Sequence, residues 1–400
     1  MKIRSIDEVD LKGKQVLIRV DFNVPLDEQG NIADDTRIRS VLSTLNHALD
    51  EGAKVIIASH LGRPKGQRVE KYSLAPCARR LSRLLSKEVR LAPDCVGPEV
   101  EEMVQKMKPG DVLLLENLRF HKAETDNDAE FARALARLAD VYINDGFAVA
   151  HRVNASVVAV TSFVKECCAG FLMKKELQAF SQVLENPGRP LVAILGGGKV
   201  ADKVGAVSHL VDKADKVILG GAIAYTFLRA QGIDTGTSLV EGGLIPQAQQ
   251  ILQKAREKRV KLYLPVDCVV AQEKSPKAQT LLRPIQEIPD GWMALDIGPA
   301  SVTLFSEVLE NARTIVWNGP MGVYEMDPFS RGTFGLLRKV ASSYAFTVLG
   351  GGDLDVAVHR TGEAYNISYI STGGGAFVAL LEGNTLPAIK ALMACEKGEA

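Results

Sequence analysis

Short apolar runs rich in β-branched residues alternate along the chain with longer stretches of helical spacing. In the first half the runs are Val16 to Val20, Val55 to Ala58, Val112 to Leu115 and Val141 to Ile143. In the second half they are Val192 to Leu195, Val217 to Leu219, Phe346 to Leu349 and Ile367 to Ile370. Between them Tyr72 to Leu85, Ala129 to Leu138 and Met173 to Leu184 carry helical periodicity, so the pattern predicts βαβ units and two parallel sheets. Asn186-Pro187-Gly188-Arg189-Pro190 ends the last of these helices and opens the second sheet, and a break is expected near Cys167 to Leu172. The fold class is therefore α/β, and 400 residues at roughly 150 per domain favour two domains.

The two halves finish their strands differently. In the second half the runs lead into Gly196-Gly197-Gly198, Gly220-Gly221, Gly350-Gly351-Gly352 and Gly373-Gly374-Gly375. Glycine lets backbone N–H groups approach a ligand and turn at positive φ, and a helix starting just beyond points its positive end at the same place. Four such ends imply one shared polyphosphate or nucleotide site. If a helix starts near Lys199, then Lys199 and Lys203 share one face at i and i+4 and present two cations to one anion. This is neither a G-x-x-x-x-G-K-[ST] loop nor G-x-G-x-x-G, and the missing second pattern argues against a nicotinamide dehydrogenase. Asp353, directly after Gly352, suits a Mg²⁺ contact beside phosphates, and Glu325 suits a ribose hydroxyl.

The first half ends its strands in charge. Asp21 and Asn23 follow the first run, His60 and Arg63 the second, Glu116, Asn117 and Arg119 the third, and His151 and Arg152 lie shortly beyond the fourth. Ligands of open parallel sheets bind outside the carboxyl ends of the strands, so these side chains should converge on one rim, joined by Arg37. Four guanidinium forks suit a small, multiply anionic ligand, with Asp21 and Asn23 holding hydroxyls. Arg39, Arg79 and Arg80 read as solvated.

Composition narrows the partners. Basic and acidic residues balance at 48 each, there is no Lys/Arg run, and no apolar stretch is long enough to span a bilayer, so neither nucleic acid nor membrane is an expected partner. The first eight residues carry acids where an export signal would be apolar, which points to the cytoplasm. There disulfides are unlikely, and the six cysteines show no CxxC spacing.

Asp21-Phe22-Asn23-Val24-Pro25, Ser59-His60-Leu61-Gly62-Arg63-Pro64, Glu116-Asn117-Leu118-Arg119-Phe120, Ala150-His151-Arg152, Trp317-Asn318-Gly319-Pro320-Met321-Gly322 and Ser371-Thr372-Gly373-Gly374-Gly375-Ala376 occur in register along almost the whole chain. Together they resemble the phosphoglycerate kinase family. That resemblance implies two Rossmann-like domains, each a parallel β-sheet flanked by helices, joined by a hinge. Residues 1–170 would bind the triose phosphate, 171–386 the nucleotide, and 387–400 would pack back on the first domain. It implies phosphoryl transfer between 1,3-bisphosphoglycerate and Mg-ADP by a monomer, with ATP/ADP as substrate. Asp21, Asn23, Arg37, His60, Arg63, Arg119 and Arg152 would hold the triose. Gly198, Lys199, Lys203, Gly220, Gly221, Asn318, Pro320, Glu325, Gly350, Gly351, Gly352 and Asp353 would hold the nucleotide, Asp353 also the metal. Arg37, Lys199, Lys203, Gly374 and Gly375 would stabilise the transferred group. The chain departs from the family pattern at Gly198, Ala222, Ala294 and Gly146 to Val149, and at Leu354, which stands where a Ser or Thr would offer the nucleotide a hydroxyl.

Overall fold

The structure, a computed structural model, describes residues 3–398. The chain forms two compact units. One runs to Gln178 and resumes at Thr385; the other is Ala179–Asn384. The helix Phe171–Leu184 spans the point of division, downstream of the break expected near Cys167 to Leu172.

The first unit is built on β1 (Gln15–Arg19), β2 (Lys54–Ala58), β3 (Val89–Leu91), β4 (Val112–Leu114), β5 (Val141–Asn144) and β6 (Glu166–Ala169). All pairings are parallel, in the order β3-β4-β2-β1-β5-β6. The central strands are buried on both faces because helices cover the sheet, which is why they read as unbroken apolar runs. Ile18, Val55, Leu114 and Ile143 meet Leu45, Cys77 and Leu81 from the helices in one core.

The second unit repeats the plan with β7 (Leu191–Leu195), β8 (Lys216–Leu219), β9 (Lys261–Tyr263), and, beyond a second small sheet, β13 (Thr314–Asn318), β14 (Phe346–Gly350) and β15 (Tyr369–Ser371). Their order is β15-β14-β13-β7-β8-β9, again parallel. The small sheet is antiparallel, β11 (Leu281–Pro284), β10 (Asp267–Ala271) and β12 (Met293–Ile297), in the order β11-β10-β12. Its strands are short and partly exposed, so they lack the continuous apolar signature of the main sheets.

Two expectations fail. Cys167 on β6 and Cys395 on the helix Pro387–Lys397 form a disulfide, with 6.1 Å between their Cα atoms. The helix packs on β6 and on the turn Ala159–Ser162, and that packing brings together cysteines 228 positions apart. The helix expected to begin near Lys199 begins at Val204, so Lys199 and Lys203 do not share a helical face. Residues 200–203 instead form a turn, with Val200 O accepting from the amides of Lys203 and Val204 and Glu241 accepting from Val200 N.

Candidate active site

In the first unit the strand ends hold a cluster of cations. The buried Asp21 carboxylate accepts from the Arg37 guanidinium and, at 3.1 Å, from Asn23 N, and lies 3.5 Å from His60 Nδ1. Asn23 Oδ1 accepts from Gly62 N at 2.8 Å, and Arg119 Nη1 donates to Gly62 O at 2.8 Å. Contacts thus link Asp21, Asn23, Arg37 and His60 directly, and Arg119 joins them through the Gly62 backbone. Arg152 is exposed and near enough to act electrostatically on both His60 and Arg119. Arg63 is exposed beside Gly62, and no carboxylate pairs with Arg63 or Arg152 among the described residues.

Burial, followed by the charges of Arg19, Arg119, Arg37 and Arg152, holds His60 well below the ordinary imidazole range. His60 is therefore neutral at pH 7, a hydrogen-bonding group and not a fifth cation. Burial and the neighbouring Arg152 and Arg19 pull Arg119 down to about 10, so it stays charged. A guanidinium destabilised by cationic neighbours in this way gains when an anion joins the cluster.

Sequence reasoning missed Arg19. It is fully buried, donates through Nε to Ser156 Oγ at 2.8 Å, and sits 3.3 Å from His60 Nδ1 and 3.9 Å from Glu124 Oε1. Glu124 in turn accepts from Ser156 N and Oγ, a buried charged network behind His60. The available signal was a charged residue inside an apolar run. Glu116 and Asn117 turn away from the rim: Glu116 accepts from Leu74 N, and Asn117 Nδ2 donates to Leu61 O and Tyr72 O, which fixes the loop carrying His60 and Arg63.

In the second unit Gly198, Lys199, Gly221, Pro320, Glu325 and Asp353 line one cavity of about 510 Å³. Lys203 stands behind them, donating from Nζ to Gly196 O at 2.6 Å; burial, with Lys199 adding to it against the pull of Asp353 and Asp202, lowers its ammonium to about 8. Asn318 Nδ2 donates to Gly350 O at 2.7 Å and locks the ends of β13 and β14 together. Gly221 at φ +56° and Gly319 at φ +80° leave no space for a Cβ, against Gly197 N and Gly196 O respectively. Gly220 packs equally closely on Met321. Three clusters feed helices as expected, at Gly221–Ala230, Gly352–Thr361 and Gly375–Leu381. Gly374 and Gly375 stand at the end of β15 and do not line the cavity.

The apolar wall was not foreseen. Tyr225, Leu239, Met293, Leu295 and Val323 line the cavity together with the glycines, so it combines an apolar wall with polar and charged groups. Leu354 does not face the cavity at all; it is fully buried in the core with Ala357 and Val358.

The profile of the phosphoglycerate kinase family matches residues 6–384. Curated phosphoglycerate kinases of Geobacter metallireducens and Citrifermentans bemidjiense are 63% and 62% identical, each over 98% of this chain and 99% and 98% of their own lengths. The solved phosphoglycerate kinase structure from Coxiella burnetii superposes with a TM-score of 0.89 at 42% identity, and that from Pyrococcus horikoshii with 0.85 at 32%; each alignment covers 99% of this chain and 100% of the other. Kinship along nearly its full length, in a chain with an arginine-lined rim on one unit and a glycine-walled cavity on the other, places it in the phosphoglycerate kinase family.

Proposed function

We propose that this chain catalyses reversible phosphoryl transfer between 1,3-bisphosphoglycerate and Mg-ADP, giving 3-phosphoglycerate and ATP. Its strongest support, beside family membership, is the group of arginines around a neutral His60, of which Arg63, Arg119 and Arg152 have no carboxylate ion pair among the described residues. Arg63, Arg119 and Arg152 hold the non-transferred phosphate and Arg37 the reacting end, while Asp21, Asn23 and His60 hold the hydroxyl and carboxyl oxygens. The nucleotide base lies against Leu239, Met293 and Val323, with Glu325 on the ribose and the loops at Gly198, Gly221 and Asp353 on the phosphates.

An acyl phosphate is already activated, so the reaction needs alignment and charge neutralisation more than a general base. A terminal oxygen of ADP forms the new P–O bond as the bond to the acyl oxygen breaks, and its electron pair leaves with the carboxylate. Negative charge on the three oxygens in flight is met by Arg37, Lys199, Lys203 and the amides at Gly374 and Gly375. Asp353 is exposed at the cavity mouth without an ion-pair partner among the described residues, which fits one carboxylate ligand of a phosphate-bound Mg²⁺. Bound there, Mg²⁺ would neutralise phosphate charge. Hinge motion brings the two guests together and excludes water, which would otherwise compete with ADP. The enzyme acts as a cytoplasmic monomer; no helix among the described residues is long and apolar enough to cross a membrane.

The test is ATP formation from purified chain, 1,3-bisphosphoglycerate and ADP in a coupled assay. Turnover that depends on the acyl phosphate supports the reading; binding of both substrates without ATP refutes it.

A further inference from the structure

Outside the arginine rim, a thiol, an imidazole and a carboxylate meet in the first unit. Asp94 and Cys95 lie in the loop after β3, and His121 lies between the turn Leu118–Phe120 and the helix Lys122–Thr125. One donor atom from each comes within 4.8 Å of the other two. His121 Nε2 is 2.7 Å from Asp94 Oδ1, which also accepts from Cys95 N at 2.6 Å. Cys95 is wholly buried, whereas the side chains of Asp94 and His121 are 38% and 32% exposed, so the cluster opens to solvent on one side. Of the four free cysteines, Cys95 is the one that belongs to such a donor group among the described residues.

We propose that Asp94, Cys95 and His121 form a binding site for a thiophilic divalent cation of the zinc class. Thiolate and imidazole select such ions over Mg²⁺, which demands oxygen ligands in octahedral array. Three protein ligands with a water in the fourth position is the open tetrahedral arrangement. Bonds of ~2.0 to 2.3 Å in a tetrahedron put ligand atoms about 3.3 to 3.6 Å apart, so the His121–Asp94 pair at 2.7 Å opens by roughly half an ångström while the thiol closes by about an ångström, and two of the three ligands ride on partly exposed loop positions. Binding exchanges the Cys95 S–H proton for the metal and releases it to solvent. His121 takes the tautomer with its proton on Nδ1, and Asp94 gives up the hydrogen bond from Nε2. The rival structure is a metal-free network in which Asp94 simply accepts from both neighbours and ties the two loops together. The site is independent of phosphoryl transfer, although His121 is two residues from Arg119.

Cobalt separates the two. The full chain, stripped with a chelator and titrated with Co²⁺, should bind one equivalent with a thiolate-to-cobalt charge-transfer band in the near ultraviolet, bleached by added Zn²⁺. His121→Gln, at a half-exposed position, and Cys95→Ser should each weaken the site by at least about 100-fold, while Cys268→Ala keeps the band. Circular dichroism on His121→Gln guards against misfolding. Absence of the band at excess Co²⁺ overturns the proposal, as does a band that survives both ligand substitutions.

Discussion

Replacing Lys203 with methionine keeps the unbranched stem, removes the terminal amine and so takes one charge from behind the glycine-walled cavity. The ammonium now donates to Gly196 O at 2.6 Å and titrates at about 8, because burial disfavours the cation while Asp353 and Asp202 partly restore it. Its folded value lies below the ordinary lysine value of 10.5, so the native state holds this proton less tightly than the unfolded chain. Stability from this group accordingly rises with pH between about 8 and 10.5, and losing the charge should not unfold the protein. Catalysis should respond the other way. A preorganised donor at developing negative charge is worth about 2.7 to 4 kcal/mol, or about 10²- to 10³-fold in kcat. The coupled ATP-formation assay should therefore show that loss, with a urea midpoint no lower than that of the parent chain. In the parent chain, kcat/KM for ADP should fall along an alkaline limb near the value of about 8, since only the charged amine attracts phosphate, and the methionine variant should lack that limb. A loss smaller than about tenfold, or an identical limb in the variant, would refute the role given to Lys203.

Asp296, buried with its oxygens accepting from Ile297 N and Gly332 N, is raised to about 8 by burial; its contribution to stability is complete at low pH and is lost as pH rises from 3.8 through about 8. Asp296→Asn should flatten the dependence of Tm on pH across that window, and an unchanged slope would rule the group out. Denatured without reductant, the chain should expose four reactive thiols out of six cysteines, because Cys167 and Cys395 are joined; six would contradict the bond. Gly196→Ala would drive a methyl into Pro320 O and Met321 Cε, and the strain of about 1 to 3 kcal/mol should appear as a lower urea midpoint together with weaker ADP binding in a calorimetric titration. Full ADP affinity in that variant would show that the turn does not shape the cavity.

What was legible in the sequence depended on whether the physics was local. Runs such as Val141 to Ile143 announce central strands because helices bury both faces, and the rule that ligands gather at strand ends then places Asp21, His60 and Arg119 together before any coordinates exist. Arg19 escaped notice because its charge is balanced by Glu124, more than a hundred positions away, through Ser156. The start of the helix at Val204 hinges on Glu241, which holds the amide of Val200 from a distant loop. The apolar wall draws Leu239, Met293 and Val323 from three separate segments with no motif between them. The Cys167–Cys395 pair likewise exists only once the last helix has docked.

The division of labour between the two glycine- and arginine-lined half-sites is tested most directly by titrating 3-phosphoglycerate and ADP separately, by calorimetry, into Arg119→Ala and Lys203→Met. Arg119→Ala should lose 3-phosphoglycerate binding and keep that of ADP, and Lys203→Met should show the reverse. A variant that weakens both ligands equally, or an Arg119→Ala protein that still takes up 3-phosphoglycerate with parental affinity, would contradict the account.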